Sequence, residues 1–256
     1  DELCKDEAVR QIRAGFNSYT QTWGIQELRE ACSAYYERRF GFPLKNVMIT
    51  SGVSGGLFLA LMATVGPGDE VICADPYFVM YKHLVNLLGG TSVPVDTYPD
   101  FKLTADRIAG AITPRTKALI ISSPANPTGV MMNGEELQAV AALARRHNLL
   151  VISDEIYESL SYDGTPASIA GMYDNVVCLN GFSKNAAMTG WRVGFAAGPD
   201  EIIQAMNTLQ QYTFVCAPSF AQKAAVLALE ADMTAKVDAY RTKRDIIFEG
   251  LKDLFP

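Results

Sequence analysis

Short apolar runs alternate with helix-like segments along most of the chain, and this alternation constrains the fold more than any other feature. We predict strands at residues 47–50, 71–74, 91–95, 117–122, 149–153, 176–179 and 193–197. Most of these runs are apolar throughout rather than at every second residue, which is typical of strands buried on both faces of a sheet. The alternation therefore predicts an α/β protein with three layers, α/β/α, around a mostly parallel sheet.

Helical periodicity fills the segments between the predicted strands. We predict helices over 24–40, 56–65, 78–88, 104–111 and 133–147, and two long closing helices over 200–230 and 233–254. Asn133 and Glu136 have the spacing of a capping box, which marks the start of the fifth helix.

Composition excludes several functional classes. The chain has 256 residues, of which 49% are hydrophobic and 20% charged, and its net charge is −6. A nucleic-acid surface needs a basic stripe, and no such stripe is visible. We expect no signal peptide, and no apolar run in these residues is long enough to span a bilayer. The five cysteines are widely spaced without a CxxC pair, and no metal-ligand spacing occurs. We therefore expect a cytoplasmic protein with free thiols and no metal, nucleic-acid or membrane partner.

Polar segments follow five of the predicted strands. They are Ser51-Gly52-Val53-Ser54, Asp75-Pro76-Tyr77-Phe78, Asn126-Pro127-Thr128-Gly129, Asp154-Glu155-Ile156-Tyr157 and the segment that contains Lys184. Open α/β sheets bind ligands outside the carboxyl ends of their strands. We expect these segments to meet in one crevice.

Lys184 is the strongest catalytic candidate. It ends the segment Gly181-Phe182-Ser183-Lys184, and eight residues later Arg192 lies in a Thr-Gly-Trp-Arg-x-Gly turn. A lysine becomes a nucleophile when its amine is partly desolvated and neutral. An arginine can hold a phosphate by charge-assisted hydrogen bonds, and a glycine turn that opens a helix, as at Gly52, favours a phosphate too.

These segments closely resemble the pyridoxal 5′-phosphate (PLP) site of class I/II aminotransferases of fold type I, the aspartate aminotransferase-like group. Three motifs occur in the family's order and spacing: 126–129, 154–157 and 183–194. The resemblance extends from about Tyr19 to the closing helices. It implies PLP as the cofactor, joined to Lys184 as a Schiff base.

The resemblance also implies roles around the cofactor ring. Asp154 would pair with the pyridine nitrogen and keep it protonated, so that the ring accepts electrons from the substrate. Tyr157 and Asn126 would hydrogen-bond the phenolic oxygen from opposite sides, and Phe78 would stack on the ring. The catalytic set is thus Lys184, Asp154 and Tyr157.

A further group of residues would hold the cofactor phosphate. By resemblance they are Gly52, Val53, Ser54, Ser183 and Arg192. Some family members carry a hydroxyl residue three places before the lysine, where this chain has Gly181. That contact is expected to be absent or replaced.

Tyr19 belongs to a segment that resembles the family's Tyr-x-x-x-x-Gly-x-x-x-Leu-Arg pattern. In the family this tyrosine reaches the cofactor phosphate of a neighbouring subunit, which implies a homodimer with Tyr19 contributed in trans. Residues 1–24 are accordingly expected to be an N-terminal arm that reaches the partner. Residues 1–256 as a whole are expected to be the PLP-binding large domain of a longer protein. The arginine that binds the substrate carboxylate would lie in a small domain beyond the C-terminus.

The activity implied is amino transfer between an L-amino acid and a 2-oxo acid, with Lys184 as the general acid and base. Three alternatives remain. A C–S lyase, a decarboxylase or a similar PLP enzyme would use the same anchors. A PLP-sensing transcription regulator carries an aminotransferase-like domain. A degenerate fold without cofactor is the third.

Overall fold

A computed structural model describes residues 2–163 and 166–254 of the chain. Its centre is a seven-stranded sheet in the order β1-β7-β6-β5-β4-β2-β3. The strands are β1 (Met48–Thr50), β2 (Glu70–Asp75), β3 (Thr91–Asp96), β4 (Thr116–Ser122), β5 (Leu150–Asp154), β6 (Val176–Gly181) and β7 (Gly194–Ala197). Strand β7 is antiparallel to both of its neighbours, and the other neighbouring pairs are parallel. The predicted mostly parallel sheet is confirmed.

Nine α-helices occur in the described part of the chain. They are α1 (Glu2–Arg13), α2 (Gln26–Phe40), α3 (Gly52–Thr64), α4 (Met80–Leu87), α5 (Ala105–Ala109), α6 (Gly134–His147), α7 (Asp200–Thr213), α8 (Ser219–Ala228) and α9 (Thr234–Leu251). The predicted capping box is present at the start of α6. Asn133 accepts from the backbone N–H of Glu136 at 2.9 Å, and Glu136 accepts from that of Asn133 at 2.8 Å.

Helices cover both faces of the sheet, which confirms the three-layer α/β/α architecture. Side chains of α3, α4 and α7 pack on one face, where Ala118 and Ile120 of β4 point. Helices α1, α2 and α8 cover part of the other face, and α5 and α6 cover the remainder of it, where Leu119 and Ile121 point. Both sets of strand side chains are buried, which explains why the strands read as continuous apolar runs.

The long helix predicted over residues 200–230 is wrong. The chain forms two helices there, α7 and α8, separated by a turn in which Val215 has a φ of +63°. Pro218 explains the break, because proline lacks a backbone N–H and disfavours helical conformation in the residue before it.

The N-terminal segment is also different from a simple extended arm. Residues 2–13 form α1, and its buried Cys4 and Ala8 join the core cluster that contains the alanines of α8. Small side chains such as Ala221 and Ala225 let two helices approach closely. Residues 14–24 are irregular, and contact of this segment with a partner subunit stays a prediction.

None of the helices within residues 2–163 and 166–254 is long and apolar enough to cross a membrane.

Candidate active site

The topology brings the predicted site segments to one edge of the sheet. Since β7 alone runs in the opposite direction, its amino end lies beside the carboxyl ends of its neighbours β1 and β6, at the same sheet edge as the carboxyl end of β5. Asp154 is the last residue of β5 and Lys184 follows the end of β6 by three residues, while Arg192 precedes the start of β7 by two. All three residues therefore reach the same edge.

Asp154 is a buried carboxylate with defined hydrogen bonds. Its Oδ2 accepts from the hydroxyl of Tyr81 at 2.9 Å, and its Oδ1 accepts from the backbone N–H of Ile156 at 3.3 Å. Burial raises the pKa of Asp154 above its ordinary value, while the two hydrogen bonds and the charge of Lys184 act in the opposite direction. A positive charge placed next to this carboxylate would favour its ionised form.

Tyr81 is the site residue that the sequence analysis missed. It lies in α4, is buried, and its ring meets that of Phe78 edge to face with centroids 5.7 Å apart. Its spacing from Phe78 gave no reliable signal, because Phe78 lies before the helix that carries Tyr81. The helix start assigned at residue 78 also proved early, because α4 begins at Met80.

Lys184 lies next to Tyr157 at the opening of the cavity. Its Nζ is 5.3 Å from the centroid of the Tyr157 ring, a cation–π distance. The side chain of Lys184 is exposed, so the partial desolvation expected of its amine is not found in the isolated chain. The reason is geometric: Lys184 faces a large cavity rather than the packed core.

That cavity has a volume of about 910 Å³. Four predicted site residues line it: Asn126, Tyr157, Ser183 and Lys184. Polar side chains of Thr128 and Thr189 lie along the same wall, and α9 contributes Tyr240 and Arg244. Cavities of this size bind small molecules.

An anion cradle lies at the start of α3. A Cβ on Gly52, whose φ is +69°, would lie 2.7 Å from Nη2 of Arg192, so the guanidinium rests directly against this backbone. Arg192 Nη1 also donates to the carbonyl of Thr189 at 2.7 Å. The first N–H groups of a helix, here those around Val53 and Ser54, have no partners within the helix and favour an anion.

Glycines allow the strands to approach this cradle. A Cβ on Gly194 would lie 2.7 Å from the carbonyl carbon of Gly52 and 2.8 Å from the backbone nitrogen of Val53. A Cβ on Gly181 would lie 2.9 Å from the Cα of Gly194. Gly181 therefore has no room for a hydroxyl side chain unless the backbone moves, which accounts for the departure from the pattern of some family members.

The other predicted site residues do not line this cavity: Asp154, Arg192 and the cradle residues Gly52, Val53 and Ser54 lie at the sheet edge described above, and Phe78 and Tyr19 lie elsewhere. Phe78 is half-buried beside Tyr81 and does not line the 910 Å³ cavity. The side chain of Tyr19 is 83% exposed, and Tyr19 does not line it either.

Comparisons with known proteins agree with this geometry. Residues 3–254 match the family model "Aminotransferase class I and II". A putative aminotransferase of Bacillus subtilis, YugH, is 41% identical over 98% of this chain and 68% of its own length. The aspartate/prephenate aminotransferase of Thermus thermophilus is 39% identical over 99% of this chain and 69% of its own length.

Solved structures show the same fold. The aspartate aminotransferase from Thermus thermophilus with maleate has a TM-score of 0.95 and 39% identity, covering 99% of this chain and 69% of that one. An aromatic aminotransferase from Pyrococcus horikoshii also has a TM-score of 0.95, at 35% identity, covering 99% of this chain and 72% of that one.

Fold and site together define a PLP-dependent enzyme of amino acid metabolism. The chain belongs to the class I and II aminotransferase family. The resemblance found in the sequence is thereby confirmed. The predicted activity, which is amino transfer between an amino acid and a 2-oxo acid, is confirmed as well, and so is PLP as the cofactor.

Proposed function

We propose that residues 2–254 form a PLP-binding unit in which Lys184, Asp154 and Tyr157 carry out the amino transfer. The observation that carries this proposal is the convergence of Lys184, Asp154 and Arg192 at one sheet edge, from three separate segments of the chain. These groups match a cofactor with three features. The nucleophilic amine matches an aldehyde, the buried carboxylate matches a ring nitrogen, and the anion cradle matches a phosphate.

The residues present fit PLP at both of its ends. Asp154 would hold the ring nitrogen, and the cradle of Gly52, Val53, Ser54, Ser183 and Arg192 would hold the phosphate. Asn126 and Tyr157 would hold the phenolic oxygen, and Phe78 would contact the ring. When bound, PLP supplies an electron-accepting ring that stabilises negative charge at the substrate Cα.

Residues of the chain itself have separate roles in the reaction. Lys184 Nζ removes the proton from the Cα of the amino acid, as a general base must do within hydrogen-bonding reach. The Tyr157 face, 5.3 Å away, stabilises the ammonium form of Lys184 once the proton has arrived. The Tyr81 hydroxyl and the Ile156 N–H favour the negatively charged form of Asp154 and offset part of the cost of its burial.

Covalent trapping tests the lysine assignment. The protein is saturated with PLP, reduced with borohydride and digested, and the peptides are weighed. A pyridoxyl mass adduct on Lys184 is expected, and Lys184→Ala should lose both the visible absorbance and turnover. An adduct on a different residue, or none at saturating PLP, would contradict the proposal.

We propose acidic and aromatic L-amino acids as amino donors. The support is that named relatives are an aspartate/prephenate aminotransferase and an aromatic-amino-acid aminotransferase. A screen of amino donors, with the 2-oxo acid product identified for each, tests this substrate class. Release of pyruvate and ammonia from a cysteine conjugate, with no amino group transferred to an acceptor, would instead favour a C–S lyase.

We also propose a homodimer in which Tyr19 reaches the phosphate cradle of the partner. The support is that Tyr19 is 83% exposed and is not among the residues that line the cavity of its own chain. Tyr19 also lies in the irregular segment 14–24, outside helix α1. The molar mass in solution, measured by light scattering, should correspond to two chains, and a monomer at all concentrations would contradict this part.

Free thiols support a reducing compartment, and we propose the cytoplasm. Cys4, Cys32, Cys73 and Cys178 are buried without disulfides, and Cys216 is half-buried. Fractionation of the source cells tests this localisation.

A further inference from the structure

A buried polar cluster lies behind the active site and takes no part in the chemistry proposed above. Its two acids are Glu155 and Glu158, each only 2% exposed. Helix α2 supplies three of their neighbours, Tyr35, Tyr36 and Arg39. We name these five residues the α2 clamp.

Glu155 is held entirely by hydroxyl groups. Its Oε1 accepts from Ser153 and from Ser168, both at 2.8 Å, and its Oε2 accepts from Tyr36 at 2.9 Å. The structure shows no ion pair between Glu155 and a described cation. A buried carboxylate needs hydrogen bonds of this kind, because burial otherwise penalises it severely.

Glu158 is held by a different set of partners. It accepts from the hydroxyl of Tyr35 and from Nε of Arg39, the latter at 3.1 Å. A second contact runs from Arg39 Nη2 to the backbone carbonyl of Glu158 at 3.4 Å. Helix α2 thus forms hydrogen bonds with both the side chain and the backbone carbonyl of Glu158.

The clamp acids alternate in sequence with site residues. Glu155 directly follows Asp154, and Glu158 directly follows Tyr157. Adjacent residues at a strand end point to opposite faces, so fixing Glu155 on one face fixes Asp154 on the other. Tyr36 also accepts from Nδ2 of Asn180 in β6, the strand that leads to Lys184.

We propose that Glu155 and Glu158 are positioning residues, through which α2 fixes Asp154 and Tyr157 in the geometry that amino transfer requires. This inference rests on the proposed roles of Asp154 and Tyr157. It adds that α2, which supplies no residue to the cavity, determines how well the site holds its cofactor.

Burial shifts the pKa values of the groups in and around the α2 clamp. Burial raises the pKa of Glu155 to about 7, the three hydroxyl bonds oppose that rise, and the charge of Glu158 adds to it. Tyr36 and Cys178 also face Glu155, and burial raises the pKa of both above their ordinary values. Arg39 and Tyr35 face Glu158, whose pKa is raised by burial and lowered by both of these partners.

A matched pair of tyrosine variants tests the proposal in the full chain. Tyr36→Phe removes one donor from Glu155, while Tyr173→Phe removes a hydroxyl that donates at 3.0 Å to the carbonyl of Leu149 in another part of the core. Both variants lose one buried hydroxyl, and because Tyr36 also accepts from Asn180, the free energy of unfolding is measured for each variant. PLP affinity by fluorescence, kcat, KM and the pH midpoint of the visible absorbance are measured for each.

Tyr36→Phe should weaken PLP binding and lower kcat about tenfold each, because a buried carboxylate loses a charge-assisted bond. It should shift the absorbance midpoint while KM changes little, and Tyr173→Phe should change none of these quantities. Equal behaviour of the two variants would overturn the proposal.

Glu155 variants separate geometry from folding. Glu155→Gln keeps the shape and can still bond the serines and Tyr36, so it should retain PLP affinity within about threefold, whereas Glu155→Ala should not. Equal PLP affinity in the Ala and Gln variants would also overturn the proposal. If the wild type bound no PLP at Lys184, the proposed function itself would fail, and the two failures are thereby distinguishable.

Discussion

The hydroxyl of Tyr81 donates a 2.9 Å hydrogen bond to Oδ2 of Asp154, and both side chains are buried. The first prediction concerns this bond. Tyr81→Phe should lower kcat about tenfold, because a hydrogen bond to a charged group contributes roughly 1.5–3 kcal/mol. Part of this free energy stabilises the fold rather than the transition state, so the loss in kcat corresponds to less than the full value. Single-turnover rates measure the effect, and an unchanged rate would show that Asp154 is held well enough by other groups.

Asp154 itself is tested by an uncharged replacement of equal size. Asp154→Asn should still bind PLP, because the phosphate cradle remains, but proton removal from the substrate should slow by about a hundredfold or more. Loss of the primary kinetic isotope effect for a deuterated Cα would indicate a different rate-limiting step. Unchanged turnover in this variant would remove Asp154 from the catalytic set.

The close approach of Gly194 to the start of α3 gives a second structural test. Gly194→Ala places a methyl group 2.7 Å from the backbone of Gly52, so the cradle must open and PLP affinity should fall at least about tenfold. Gly190→Ala is the matched control, because a Cβ there meets nothing within 4 Å. Equilibrium binding of PLP compares the two. Equal affinities would show that the phosphate is held elsewhere.

Stability should depend on pH through Glu155. Its pKa is about 7 in the folded chain and 4.5 in the reference state, so the folded state binds the proton more tightly. This stabilisation is complete below the reference value, and it is lost as the pH rises through the folded value. It amounts to something on the order of 3 kcal/mol.

The free energy of unfolding in denaturant, measured between about pH 5 and about pH 8, checks this linkage. Wild type should lose stability relative to Glu155→Gln as the pH rises, because the glutamine cannot ionise. A constant difference between the two proteins would contradict the assignment of that titration to Glu155.

Subunit exchange tests the role of Tyr19 in trans. Tyr19→Ala alone should bind PLP more weakly, and Lys184→Ala alone should be inactive. A mixture of the two should form hybrid dimers that contain one intact site, so activity should recover to about a quarter of wild type for twofold-symmetric exchange. Full exchange without any recovery would place Tyr19 outside the partner's site.

The meeting of the candidate site segments at one sheet edge could be predicted from a simple regularity. Segments such as 126–129 and 154–157 follow apolar strands, and the carboxyl ends of parallel strands meet at one edge. Arg192 reaches that edge for a different reason, the reversed direction of β7, which the sequence pattern does not reveal.

What the sequence did not predict depends on contacts between distant segments. Tyr81 matters because it meets Asp154, 73 residues away along the chain. The packing of α1 on α8 brings together segments more than 200 residues apart, and no local pattern encodes such a pairing. The break before Pro218 was the exception, since that proline is a local signal of a helix boundary.

The reversed strand β7 has a structural consequence. Lys184 and Arg192 lie near the two ends of one short link between neighbouring antiparallel strands, so the pairing of β6 with β7 brings both residues to the same edge. The two groups that would bind opposite ends of one cofactor are therefore carried by a single connection of the chain, while Asp154 is supplied by a separate strand.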